Sequence, residues 1–264
     1  MVEGRGPFQF VVDTGADHSV IADTTAEALG LSHRSKVSVE GVVRTVAAET
    51  VRVRDISFGP IHKKNLVLPV LPREWLQADG YLGLDMIDRT RVTFDFAKKK
   101  LSIDRPMAAQ VSLFSRPNED LIGVSGWHGH LRATNCQVDG VRTVVFIDTG
   151  AEISAGNQAL FEALNERRPD RYIKSKTTQI SGVTGGFKEG RVVDFGRIRI
   201  RDLDFTDGTI VIADIQIFEL WELTSRPALL IGMNFLRQFN SVTVDYGLKE
   251  YRFKVASLYV AQKG

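Results

Sequence analysis

A tetrapeptide repeated half a chain apart constrains this sequence more than any other feature. Asp13-Thr14-Gly15-Ala16 recurs as Asp148-Thr149-Gly150-Ala151, 135 positions later in a chain of 264 residues. At average composition, two such Asp-Thr-Gly triplets would coincide in about 0.1% of chains this long. The surroundings repeat as well. An apolar strand runs into each copy, Phe10-Val11-Val12 and Val144-Val145-Phe146-Ile147. A helix signal follows each: Thr24-x-x-Glu27 as a capping box with Gly30 as a stop, and Asn157 as a cap for Gln158 to Leu164. Tyr81-Leu82-Gly83-Leu84-Asp85-Met86 then pairs with Leu230-Ile231-Gly232-Met233-Asn234-Phe235, and Val92-Thr93-Phe94-Asp95 with Val242-Thr243-Val244-Asp245. Landmarks in the same order make two related lobes. The second lobe carries a net insertion, placed within 186–226.

Composition narrows the class. Hydrophobic residues are 43% and charged residues 25%, ordinary for a globular protein. Thirty-four basic against 32 acidic residues leave +2, too balanced for a nucleic-acid partner. Cys136 is the single cysteine, so the chain can hold neither an internal disulfide nor a cysteine-based zinc cluster. No apolar run approaches the roughly 20 residues of a membrane helix. The compartment stays open between periplasm or secretion and cytoplasm. Val2 to Pro7 reads as a hairpin turn with no strand before it, so either a strand and a targeting segment are missing or the start is unusual.

Between landmarks the sequence is strand-rich. Lys36–Val39, Thr50–Val53, Asn65–Leu68, Gly196–Ile200 and Ile210–Ala213 are short β-prone runs separated by turn residues. The expected fold is mostly β with short helices. The expected organisation is an N-terminal lobe over 1–105, a linker over 106–124 and a C-terminal lobe over 125–264. The strand-like Gln110–Phe114 inside the linker suits an interlobe sheet.

A strand ending in Asp-Thr-Gly sets a carboxylate on a tight turn, where glycine permits positive φ or close approach. If two lobes pack about a pseudo-twofold axis, Asp13 and Asp148 meet there, and Thr14 and Thr149 can hydrogen-bond across it. Two carboxyls in contact share one proton and titrate as a pair. Such a pair can hold a water, take its proton and protonate a peptide carbonyl, with no metal and no covalent intermediate.

With these residues in view, the chain resembles the aspartic proteases, and within them the retropepsin-like group. Phe10 to Asp17 and Ile231 to Leu236 are similar to the active-site and second-turn segments of retroviral proteases. Those enzymes are homodimers, whereas this chain carries both halves, like a bilobal pepsin without the disulfides. The resemblance implies a two-lobed, pseudo-twofold symmetric, closed-barrel fold. It implies an aspartic endopeptidase that needs no cofactor or metal, takes a peptide or protein substrate, and works as a monomer with an internal pseudo-dimer. Asp13 and Asp148 would be the catalytic pair. Thr14, Gly15, Thr149 and Gly150 would support the turns, and Gly83 and Gly232 would sit in the loops beneath them. The flaps would fall at Gly41 and Val42 in the first lobe and at Gly182, Val183 and Gly185 in the second. The first departs from the family pattern, being poor in glycine and without the pepsin flap tyrosine. Ala16 and Ala151 stand where pepsins carry a hydroxyl donor, which points to a mildly acidic working pH.

The remaining chemistry-bearing residues read as structural. His18 reads as a loop or surface residue, the His-x-His of Gly126–His130 as a loop, Cys136 as a core thiol, Lys98–Lys100 as a hairpin tip, and Trp75 and Trp221 as packing under loops, with the lining of substrate pockets as the alternative. Two other functions stay open: a peptide-binding scaffold that kept the fold without activity, and a precursor that processes itself.

Overall fold

Short runs of alternating burial fold each repeat into a sheet of the same topology. The computed structural model describes residues 1–106, 119–127, 130–169, 176–201 and 203–255. The expected strand Gln110–Phe114, with the linker residues 107–118 around it, and His128 lie outside the described residues.

In the first repeat the strands are β1 (Phe10–Val12), β2 (Val20–Ala22), β3 (His33–Glu40), β4 (Thr45–Phe58), β5 (Ile61–Leu71) and β6 (Gly80–Leu82), in the order β1-β6-β2-β5-β4-β3. The chain continues through β7 (Arg91–Asp95), β8 (Lys100–Asp104), β9 (Glu119–Trp127) and β10 (His130–Val138). The second repeat then supplies β11 (Val141–Ile147), β12 (Ala155–Gly156), β13 (Thr177–Ser181), β14 (Phe187–Ile200), β15 (Leu203–Ile212) and β16 (Ala228–Ile231), followed by β17 (Ser241–Asp245) and β18 (Glu250–Lys254). Its order, β11-β16-β12-β15-β14-β13, is that of the first repeat strand for strand. Directions match too: β1 runs parallel to β6 as β11 does to β16, and β2 parallel to β5 as β12 does to β15.

The two repeats join through antiparallel β7 and β17, where Thr93 faces Thr243 and their hydroxyls hydrogen-bond at 2.9 Å. β9 extends this sheet from β18 to β10, so residues 119–124 of the expected linker are strand. β10 also pairs with β14, and the single bridge from Val2 to Ile56 has the same place in the first repeat.

Burial explains the strands. In β4 and β5, Val51, Val53 and Leu68 point into the core, and in β14 and β15 Phe195, Ile198, Ile200 and Ile210 do the same. Phe195, Phe235, Phe205 and Phe239 make ring contacts in that order, about 5.5 Å apart between centroids, which ties β14 and β15 to the segment before β17. Cys136 is buried in β10, and burial pushes its thiol up to about 12, so it is inert packing.

One local expectation changes. The helix Asp23–Ala28 starts one residue before Thr24 could cap it: Ala22 is the N-cap, and Asp23 Oδ1 instead accepts the N–H groups of Thr24 and Arg73. The turn at the chain start closes on itself and on β4. Val2 and Arg5 exchange backbone hydrogen bonds, while Met1 and Ser57 pair across to the end of β4. The other helix signals match the geometry. Gly30 has φ of +66° and ends its helix, and Asn157 accepts the N–H of Leu160 to cap Gln158–Arg167.

Candidate active site

The site is built twice by the same local rules. β1 delivers Asp13, whose N–H donates to Leu82 O at 3.0 Å; β11 delivers Asp148, whose N–H donates to Ile231 O at 2.9 Å. Each aspartate then folds back on its own turn. Asp13 Oδ1 accepts the Gly15 N–H and Asp148 Oδ1 the Gly150 N–H, both at 2.8 Å.

The threonines cross between the turns. Thr14 Oγ1 donates to Ile147 O at 3.0 Å, and Thr149 Oγ1 donates to Val12 O at 2.7 Å. Both threonines are buried, and every one of these groups is satisfied across the lobe boundary. The glycines are required by close approach, not by positive φ. A Cβ on Gly15 would lie 2.6 Å from Asp148 Cγ, and one on Gly150 would collide with the Asp13 carboxyl.

Beneath each turn runs a second loop. A Cβ on Gly83 would meet Ala16 O at 2.7 Å, and one on Gly232 would meet Ala151 O at 2.6 Å. Glycine there lets the loop pass close enough for Leu84 N–H to reach Ala16 O and Met233 N–H to reach Ala151 O, each at 2.8 Å. A serine brace locks each crossing. Ser19 Oγ accepts the Gly83 N–H and donates to Asp85 Oδ1; Ser154 Oγ accepts the Gly232 N–H and donates to Asn234 Oδ1. These four side chains escape a motif search centred on Asp-Thr-Gly. The signal for them is the repeat itself, since Ser19 and Ser154 are separated by the same 135 positions as the aspartates.

The two carboxyls are buried, each packed against the glycine of the other's turn. Burial pushes Asp13 well above the usual carboxylate range, and the charge of Asp148 pushes it further. Burial also raises Asp148, while its hydrogen bond from Asp13 and the N–H groups of Gly150 and Ala151 pull it back. One proton held in common is the state this environment favours.

A cavity of about 400 Å³ opens over Asp13, with Asp17, Tyr81, His130, Val183 and Trp221 in its walls. Burial, then the charges of Asp13 and Asp148, push the Tyr81 phenol up to about 12. The hairpin turns expected as flaps meet above this site. Arg44 Nε donates to Thr184 O at 2.9 Å, and Thr184 Oγ1 returns a bond to Arg44 O at 2.8 Å. Val42 packs against the second repeat beside Ile217 and Leu220, and Val183 against the first beside Val20, Leu71 and Leu76. Gly41 lies against the Thr184 side chain, and Gly185 against Trp75, whose ring carries the Arg44 guanidinium at 5.2 Å. Gly182 O accepts the Gly185 N–H and closes the second turn.

One side chain differs from its sequence reading. His130 opens β10 and is not in a loop; it is buried, bonds Asp17 at 3.2 Å across the lobes and lies 4.9 Å from the Trp221 ring. Trp221 both packs on Phe146 and lines the cavity. His18 is exposed, on the cavity rim. Among the described residues no cluster of three or more His, Cys, Asp or Glu could hold a metal ion, and no helix is long and apolar enough to cross a membrane.

A family model described as aspartyl protease matches residues 1–86 and 134–235, which takes in both Asp-Thr-Gly turns and both loops beneath them. Among solved structures, the chain is similar to a retropepsin-like aspartic protease from Rickettsia conorii, at 18% identity over 52% of this chain and 90% of that one, with a TM-score of 0.36. None of the curated proteins compared matches it.

Proposed function

The chain belongs to the aspartyl protease family, and from that membership we propose that it is an endopeptidase that hydrolyses peptide bonds with a water activated between Asp13 and Asp148. One observation carries the reading: two buried carboxyls, each fixed by its own turn and packed on the glycine of the other, lie together beside a cavity that opens over Asp13.

In the free enzyme the two carboxyls share one proton, and with that proton on Asp13 the base is Asp148. Water bound between them attacks the carbonyl carbon of the substrate. Its proton passes to Asp148 as Asp13 protonates the carbonyl oxygen, giving a neutral tetrahedral diol. Asp148 then protonates the amide nitrogen, Asp13 recovers the diol proton, and the C–N bond breaks. The dyad returns to its starting charge with no covalent intermediate. The shared-proton chemistry is that of aspartic proteases generally, which the handling of two contacting carboxyls requires.

An extended peptide fits beneath the hairpin tips of Gly41–Arg44 and Gly182–Gly186, where it can pair by backbone hydrogen bonds as an added strand. Residues 1–105 and 125–264 act as two lobes, each giving half of the site, so a single chain suffices. Incubation with a peptide library at several pH values, with and without pepstatin, tests the reading. Cleavage at internal bonds that pepstatin suppresses supports it; peptide bound but left intact at every pH favours a scaffold instead.

A further inference from the structure

The two repeats differ at one position beside the dyad. Tyr81 and Leu230 each stand two residues before the glycine of the loop beneath a turn. Leu230 is buried in a cluster with Phe146 and Trp221, and its side chain carries no polar atom. Tyr81 is half-buried and lines the cavity over Asp13. Its backbone is held on both sides, paired with Val11 of β1 and with Val20 of β2, so the ring has a fixed root. Its hydroxyl makes no hydrogen bond among the described residues. Burial and the charges of Asp13 and Asp148 keep the phenol protonated wherever a carboxyl pair works, so it is a standing donor.

A second polar group shares the cavity. His130 enters its wall from β10, although the side chain is only 4% exposed. Nε2 lies 3.2 Å from Asp17 Oδ1, which favours a proton on that nitrogen and leaves Nδ1 as an acceptor. Nδ1 has no hydrogen-bond partner among the described residues. A buried polar atom left open costs free energy that a ligand can recover. Val20, Val39, Val183 and Leu220 line the same cavity.

One donor and one acceptor between apolar walls are the complement of a carboxamide, whose oxygen accepts and whose NH2 donates. An aliphatic side chain leaves both groups unmet. A carboxylate has no proton for Nδ1 and meets Asp13, Asp17 and Glu40 in the same walls.

Resting on the peptidase reading above, we propose that Tyr81 is a specificity-determining residue, and that the pocket it shares with His130 selects asparagine or glutamine in the substrate. The phenol donates to the carboxamide oxygen, and the NH2 donates to His130 Nδ1. Leu230 supplies no such donor in the other repeat, so the preference is confined to one position of the peptide.

Binding to the Asp148→Asn variant, which keeps the question independent of turnover, tests this. Fluorescence anisotropy is measured on matched peptides carrying Gln, Met or Glu scanned through successive positions. At one position Gln binds about tenfold more tightly than Met or Glu. The preference over Met falls to about threefold or less when Tyr81→Phe is added. That change removes one oxygen and keeps the ring, so the Met peptide binds both proteins alike, which separates a lost donor from a damaged pocket. Equal affinity for Gln and Met at every position overturns the proposal, and so does a preference that survives Tyr81→Phe. Failure of wild type to cleave any peptide counts against the peptidase reading alone.

Discussion

Thr14 and Thr149 each accept the other's backbone N–H through their hydroxyl oxygens, at 3.1 and 3.2 Å, although the two residues are 135 positions apart. This reciprocal bond is where two half-sites become one. Each hydroxyl also donates to a carbonyl of the opposite strand, so the rigid frame of the dyad is made by residues that are not themselves acidic.

Removing one hydroxyl leaves two buried backbone groups without a partner. Thr149→Val, close in shape, lowers unfolding free energy by about 1–3 kcal/mol, read from the denaturant midpoint. Thr149→Ser keeps the bonds and loses less than about 1 kcal/mol. Peptidase activity falls with the first and is largely kept with the second.

The buried carboxyls tie stability to pH. Both folded values are raised, so the native state binds more protons than the unfolded chain once pH exceeds about 4. Their contribution to stability is fully present below that point and is lost as pH rises through the folded values. Asp13→Asn therefore raises Tm at pH 7 by about 2 °C or more, and the gain shrinks as pH falls towards 4. Calorimetry across this range checks the sign.

Activity follows the same pair. On the proposed mechanism cleavage requires one proton on two carboxyls, so the rate falls on the acid side when both are protonated and on the alkaline side when the shared proton is lost. Raised carboxyls and the absence of a hydroxyl at Ala16 and Ala151 place the maximum at mildly acidic pH. A pH–rate profile peaking below about pH 3 contradicts this.

The braces behind the turns differ in one atom. Asp85 Oδ1 and Asn234 Oδ1 accept the same two bonds, from the N–H and hydroxyl of Ser19 and of Ser154, and the Ser19 N–H also reaches Asp85 Oδ2 at 3.1 Å. Asp85→Asn thus costs less than about 1 kcal/mol, whereas Asp85→Leu strands the Ser19 N–H and hydroxyl and costs about 2 kcal/mol or more. Thermal unfolding of the two variants separates these outcomes.

The hairpin tips are latched by Arg44 and Thr184. Arg44→Ala removes the side-chain bond and the stacking on Trp75. Amide exchange across 41–45 and 182–186 rises at least about threefold while the core strands keep their protection.

What was legible in the sequence and what was not divide along chain distance. Asp-Thr-Gly announces its chemistry in adjacent residues, so both turns, both glycines beneath them and the strand content were readable, and so was the helix stop at Gly30. The Ser19–Asp85 brace and the Asp17–His130 contact join residues far apart, and nothing local at His130 distinguishes a loop histidine from a buried one. The capping box at Thr24 failed for a physical reason: Asp23 already serves the helix start and binds Arg73 N–H across the fold. The hairpin tips could be placed but not their contact, because Arg44 meets Thr184 only once the two repeats pack together.

The central claim is that one chain supplies both halves of a working dyad, and the most direct measurement is cleavage of a peptide library at pH 5 by wild type, Asp13→Asn and Asp148→Asn. The dyad account predicts internal cleavage by wild type and a loss of at least about 1,000-fold in kcat/KM in either variant. Equal cleavage by all three proteins would contradict it.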